Sequence, residues 1–182
     1  MPAPATKGLH HVKLPVSDLD ASLAWYARVL GAQHQAQFDH FDERGQRYAV
    51  IMVVPGCAVP LELRWAPHAA TAMDGYDPIS FAAGRGDDVQ SWAAHLDEEG
   101  IAHSPVSQGA AGALLVFADP DGTFLRLLEL PAGGVEDIKM PAGPAEPEGP
   151  WIAPPKMSHP GQLRPGSRSR ASAAPRNTRW PT

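Results

Sequence analysis

One pattern occurs twice in this chain, and it restricts the fold more than any other feature. A strand-like run leads into an acid-capped amphipathic helix that stops at glycine, and a strand-rich stretch follows. The first copy opens at Leu9-His10-His11-Val12-Lys13-Leu14-Pro15-Val16, turns at Ser17-Asp18 and runs as a helix to Leu30, with Gly31 as the stop. The second opens at Pro78-Ile79-Ser80-Phe81-Ala82-Ala83, caps at Asp87 or Asp88 and ends at Gly100. Asp18 and Gly31 stand 13 residues apart, as do Asp87 and Gly100. Two similar units in a short chain predict a pseudo-symmetric fold with a cavity between or within the halves.

The predicted helices follow from their apolar spacing. Leu19, Leu23, Tyr26 and Leu30 recur with helical period in the first. Val89, Trp92, Ala93 and Leu96 do so in the second, where Gln90 stands three residues after Asp87 as in a capping box. Ser17 or Asp18 supplies the first N-cap, and Gly31 suits the left-handed position that ends a helix. Strands are predicted at 32–38, 46–54 and 59–65, then at 102–106, 113–118 and 123–129. Each half thus reads strand, helix, three strands, an α+β pattern. Asp39 to Gly45, Pro55-Gly56 and Asp119-Pro120-Asp121-Gly122 read as turns.

Composition sets the boundaries. Hydrophobic residues are 43% of the 182, enough for a core. Eleven of the 20 prolines fall between Pro131 and Thr182, where periodic apolar residues disappear. Such a segment cannot bury enough apolar surface to offset its ordering entropy. The expected organisation is a flexible N-terminus (1–8), a folded unit (9–131, with halves at about 9–66 and 77–131) and a disordered tail (132–182). Six basic residues and no acid lie from Lys156 onward. Removing those six charges from the net −5 leaves −11 on residues 1–155. An acidic body of this kind argues against a nucleic-acid partner. No apolar run approaches a membrane span, and Met1-Pro2-Ala3-Pro4-Ala5 lacks a signal-peptide pattern. The single cysteine, Cys57, permits no intrachain disulfide, in keeping with a cytoplasmic protein.

Alternation assigns the strand faces. Val12, Leu14 and Val16 must meet the helix, so His11, Lys13 and Pro15 point the other way. Leu61, Leu63 and Trp65 are expected on the helix, with Glu62 and Arg64 opposite. In the second half Ile79, Phe81, Leu125 and Leu127 go to the core. Pro78, Ser80, Ala82, Phe124, Arg126 and Leu128 face away. A concave surface carrying His11, Glu62, Arg64 and Arg126 is the candidate site, and Lys13, Ser80 and Phe124 are expected to touch a ligand there.

These residues resemble the vicinal oxygen chelate superfamily, which includes glyoxalases, bleomycin-resistance proteins and extradiol dioxygenases. The resemblance is carried by His11-Val12-Lys13-Leu14-Pro15-Val16-Ser17-Asp18-Leu19, Trp25-Tyr26, Val29-Leu30-Gly31 and Leu61-Glu62-Leu63. Asp119-Pro120-Asp121-Gly122 and Leu125-Arg126-Leu127-Leu128-Glu129 extend it to about residue 131. It implies two βαβββ modules forming a half-open barrel around a cavity, and a homodimer. It also implies four metal positions: a His on each module's first strand and a Glu on each last strand. His11 and Glu62 match two of them. Pro78 and Arg126 occupy the others, and neither donates to a cation.

A catalytic Zn²⁺ keeps three protein ligands, and Mn²⁺, Ni²⁺ and Fe²⁺ also need several N or O donors. No cofactor is therefore expected, and the first expectation is a metal-free protein that binds a small molecule in its cleft, with no nucleic-acid or membrane partner. The alternative is an enzyme of glyoxalase, lyase or dioxygenase type, using His11 and Glu62 for proton transfer or holding an atypical Zn, Ni, Mn or Fe ion through them. A third reading is a regulatory module with a vestigial cavity. Arg126 is expected either to pair with Glu62, within or across a dimer, or to hold an anionic group of the ligand. Asp77 would act as a ligand only if its strand shifted by one residue. Asp119-Pro120-Asp121-Gly122 is explained by its turn, and Cys57 has no base at fixed spacing.

Overall fold

The computed structural model describes residues 3–84, 86–109, 112–131 and 133–134, with 86 and 87 described by their backbone alone. The expected tail, apart from its first few residues, lies outside the described residues.

Two sheets, each carrying a helix, form an α+β fold. The first contains β1 (Val12–Val16), β2 (Gln33–His34), β3 (His40–Phe41), β4 (Arg47–Val53) and β5 (Leu61–Trp65). Its order is β1-β5-β4-β2, with β3 also on β4. The second contains β6 (Ile79–Ala83), β7 (Ser107–Gln108), β8 (Ala113–Ala118) and β9 (Phe124–Glu129), in the order β6-β9-β8-β7. In both, the first strand runs parallel to the last, and the last is antiparallel to the one before it. The two sheets are separate, so the barrel is not closed. Pro15 lies on β1, a strand with a neighbour on one side only, where its missing N–H costs no ladder bond.

The helices cover one face of each sheet. In α1 (Leu19–Leu30) the Asp18 Oδ1 accepts from the amides of Asp20 and Ala21, 3.1 and 3.0 Å away. Gly31 closes the helix at φ +62°, a conformation that favours glycine. Leu14, Val16, Tyr26, Val29, Leu61 and Leu63 are buried on this side, as alternation requires. Phe81, Val89, Leu96, Leu125 and Leu127 do the same for α3 (Gly86–Glu98).

The modules share one apolar core, joined on their helix sides. Trp25 of α1 stacks on Phe117 of β8, with centroids 6.2 Å apart. Tyr26 donates its hydroxyl to Asp119 Oδ2 at 2.9 Å, and the Ser17 amide donates to Asp121 at 3.1 Å. His95 Nε2 donates to the Val29 carbonyl at 2.9 Å. Asp119 and Asp121 therefore do more than close a turn: they fasten the second module to α1.

Several predicted elements are shorter than expected. The 32–38 strand is only β2, followed by a 3-10 turn at Ala36–Phe38, where His34 Nε2 meets Asp39 Oδ1 at 2.6 Å and closes the loop. The 102–106 strand reduces to a bridge between His103 and Phe117; Pro105, which has no N–H, breaks it, and pairing resumes at β7. The stretch 67–77, between the two halves, contains α2 (Pro67–Ala72), started by a proline in its first turn. α3 begins at Gly86, so Asp88 lies inside its first turn. Trp65 does not pack on the helix: it ends β5 and is 52% exposed.

Candidate functional site: a buried carboxylate beside two cations and a histidine

Register places the candidate residues. Lys13 pairs with Glu62 and Pro15 with Arg64 between β1 and β5, and paired residues share a face. Ile51 joins that face from β4 opposite Glu62, and Ala49 opposite Arg64. Glu62 is fully buried although charged. Its Oε1 accepts from Arg64 Nε at 2.7 Å. Its Oε2 lies 3.1 Å from His11 Nε2 and 3.5 Å from Lys13 Nζ, without good hydrogen-bond geometry to either. Burial alone would raise the Glu62 pKa, but the hydrogen bond and charge of Arg64, with the charges of Lys13 and His11, outweigh it and hold the carboxyl below its ordinary value. His10 Nδ1 approaches His11 Nδ1 at 2.8 Å, fixing the other side of that ring.

Tyr48 belongs to this cluster, and sequence reasoning missed it. β3 pairs His40 with Ala49 but Phe41 with Arg47, so Tyr48 is an extra residue in β4. The bulge brings its ring beneath the Arg64 guanidinium, whose carbon stands 5.2 Å from the ring centre. Strict alternation would have given Tyr48 the parity of buried Val50, and no sequence signal marks the bulge.

The second module repeats the layout with the charge reversed. Ser80 pairs with Arg126, and Ala82 with Leu128. Leu114, Val116 and Ala118 of β8 pair with Leu128, Arg126 and Phe124. This face is apolar except for Ser80 and Arg126. Arg126 does not pair with Glu62 inside the chain, contrary to one expectation. It forms an ion pair with Asp77 through one terminal nitrogen, because β9 sets it beside the residue before Pro78. Its buried Nε has no hydrogen-bond partner among the described residues. Asp77 is thus the counter-ion of Arg126 with no shift of the strand.

The structure therefore gathers His11, Lys13, Glu62 and Arg64 into one cluster and sets Ser80, Phe124 and Arg126 on a second sheet face. Glu62 and Arg64 pair with each other and Arg126 with Asp77, so no ion pair joins the two sets among the described residues. No group of three His, Cys, Asp or Glu side chains suited to a metal ion occurs among them. A cleft of about 660 Å³ does open between the modules, but on the helix side, and none of these seven residues lines it. No described helix is long and apolar enough to cross a membrane.

The family model for the Glyoxalase/Bleomycin resistance protein/Dioxygenase superfamily matches residues 8–127. The chain belongs to that superfamily. Several solved structures of the superfamily's fold resemble it. A glyoxalase/bleomycin resistance protein/dioxygenase domain from Frankia sp. EAN1pec is 25% identical, with a TM-score of 0.55, over 69% of this chain and 98% of its own. TnmS3, an antibiotic binding protein from Streptomyces sp. CB03234, is 26% identical, with a TM-score of 0.54, over 70% of this chain and 98% of its own. The fosfomycin resistance protein FosX from Listeria monocytogenes shares the fold at 17% identity and a TM-score of 0.54, over 68% of this chain and 93% of its own. No curated protein matches this superfamily member significantly.

Proposed function

We propose that this superfamily member binds a small organic molecule, as the antibiotic binding protein TnmS3 does, on the sheet faces carrying Glu62 and Arg126, without a divalent metal. The observation that carries the reading is the state of Glu62. Its carboxylate is already hydrogen-bonded to Arg64 and flanked by Lys13 and His11. A metal would have to displace the Arg64 and Lys13 cations from a buried acid. The two remaining family positions hold Pro78 and a guanidinium, which add no donor. The donor set does not fit a divalent ion, and Lewis-acid chemistry has no place in the reading.

The ligand is a largely apolar body with oxygen atoms at one edge. Half-buried Phe124 and Leu128 supply apolar surface on the second sheet, with Leu114 and Val116 buried beside them, and Arg126 is a charged anchor. Glu62, Arg64 and Tyr48 supply polar and aromatic contacts on the first. The shared core joins the opposite faces of the two sheets, so one chain does not close these surfaces on each other. A homodimer that sets the first sheet of one copy against the second sheet of the other completes the cleft.

The test is titration of the purified chain with a panel of aromatic antibiotics, and separately with Mn²⁺, Fe²⁺, Ni²⁺ and Zn²⁺. Saturable antibiotic binding weakened by Arg64→Ala and Arg126→Ala, with no metal requirement, is expected. Stoichiometric metal binding that His11→Ala abolishes would sink the reading and favour the metal-dependent enzyme. A panel in which nothing binds, with or without metal, would favour a regulatory module.

A further inference from the structure

The helix-side cleft between the modules is separate from the surfaces assigned above, and its lining is built differently. We infer that it is a second ligand site, for a flat aromatic molecule carrying a protonated amine. Its volume of about 660 Å³ lies in the range of small-molecule sites. Val29, Leu30, Phe81 and Leu127, otherwise part of the core, form its apolar floor. Trp92 stands in one wall, its ring edge-to-face with His95 at 5.5 Å and 79°. The turn from Val54 to Cys57 makes the opposite wall.

Two side chains on this lining offer acceptors. His95 Nε2 donates to the Val29 carbonyl, which can only accept, so Nε2 carries a proton, and in the uncharged tautomer this selects, Nδ1 is the acceptor. No partner for Nδ1 occurs among the described residues. Asp88 lies over Gly84, its Oδ2 occupying the space that a Cβ there would take, and it makes no hydrogen bond or ion pair among the described residues. Among the described residues the guanidinium on the lining is that of Arg28, already bound to the Glu99 carboxylate and, at 3.3 Å, to the Glu99 carbonyl. An apolar slot with an aromatic wall, a carboxylate unpaired among the described residues and an imidazole acceptor complements a planar ring bearing N–H donors and positive charge. An anionic ring meets Asp88 and is rejected.

Cys57 is the chain's only cysteine and lies on the lining, so its alkylation reports occupancy. The probe pair is tryptamine and indole-3-acetate, which share a ring and differ in charge. With the full chain, saturating tryptamine is expected to slow iodoacetamide alkylation of Cys57 about tenfold, and indole-3-acetate to leave it unchanged. Asp88 is exposed, so Asp88→Asn spares the fold and should weaken tryptamine about tenfold, as expected for a lost charge-assisted bond. Trp92→Ala should weaken both the affinity and the protection. An alkylation rate indifferent to tryptamine would overturn the inference. So would equal protection by the two probes, or protection that Arg64→Ala abolishes, because that would put the probe on the sheet face. The sheet-face reading does not depend on this cleft and survives either result.

Discussion

The Tyr26 hydroxyl of the first module donates to Asp119 Oδ2 of the second at 2.9 Å, inside a core where Tyr26 has no exposed surface. The same carboxylate accepts from the amides of Asp121 and Thr123 at 2.9 Å. Burial first, then the neighbouring Asp119 charge and its hydrogen bond, push the Tyr26 pKa well above its ordinary value. A raised pKa in the folded state means that the contribution is fully present below the unfolded value of about 10 and is lost as pH rises beyond it. Tyr26→Phe should therefore cost about 1–2 kcal/mol at neutral pH. The gap between the variant and the parent should narrow above pH about 10. Urea unfolding at several pH values measures this, and a gap constant to pH 11 would contradict the assignment.

Glu62 titrates in the opposite sense. Its folded pKa lies below the ordinary value, so its contribution is present above about pH 4 and is lost as pH falls through the lowered value. Glu62→Gln should destabilise the protein at pH 7 by about 1–3 kcal/mol, since the charge-assisted hydrogen bond to Arg64 is weakened in a buried place. At pH 3 the variant and the parent should converge. Arg64→Ala should move the Glu62 pKa upward, because burial then meets less opposing charge. Carboxyl-edited NMR of the two proteins reads that shift directly.

The Asp119-Pro120-Asp121-Gly122 turn gives a third prediction. Gly122 has φ +81°, and a Cβ there would stand 2.2 Å from Asp74 Oδ1. Gly122→Ala combines a strained backbone with a displaced side chain and should cost about 1–3 kcal/mol. The turn holds Asp119 and Asp121 in place against α1, so the loss should appear as weaker protection of the Ser17 amide, which Asp121 accepts. Hydrogen exchange at Ser17 indistinguishable from the parent would show that the turn does not fasten the modules.

Period and capping explain which parts of this architecture were legible in the sequence. Strict alternation in β1, β5, β6 and β9 separates buried Leu14, Leu63, Phe81 and Leu127 from Lys13, Arg64, Ser80 and Arg126, because a two-residue period leaves no freedom once one face is buried. Asp18 and Gly31 mark the ends of α1 by local hydrogen bonding and backbone conformation. Long-range contacts carry no such signature. The Tyr48 bulge arises from how β3 meets β4, and the Asp77–Arg126 pair from strand register. Trp65 breaks its alternation where β5 ends, and is half exposed. The helix-side cleft depends on how two modules dock, which neither module's pattern encodes.

Charge at the sheet faces gives the last prediction. A divalent ion held by the folded chain at about 100 times its dissociation constant would add about 2.7 kcal/mol. In a protein of this size that raises Tm by roughly 5–10 °C. Mn²⁺, Fe²⁺, Ni²⁺ and Zn²⁺ should each fail to produce such a rise, because Glu62 is engaged by Arg64 and the position at Arg126 is cationic. Replacing the two discordant residues should reverse this. Pro78→His with Arg126→Glu supplies two donors, and loss of the guanidinium frees Asp77 as a third. If that double variant gains a metal-dependent rise in Tm that His11→Ala or Glu62→Gln then removes, the two modules contribute to one centre, supplied by two copies of the chain. A rise that ignores His11 and Glu62 would instead place the ion on the second module alone, and the proposed pairing of the two sheet faces would fail.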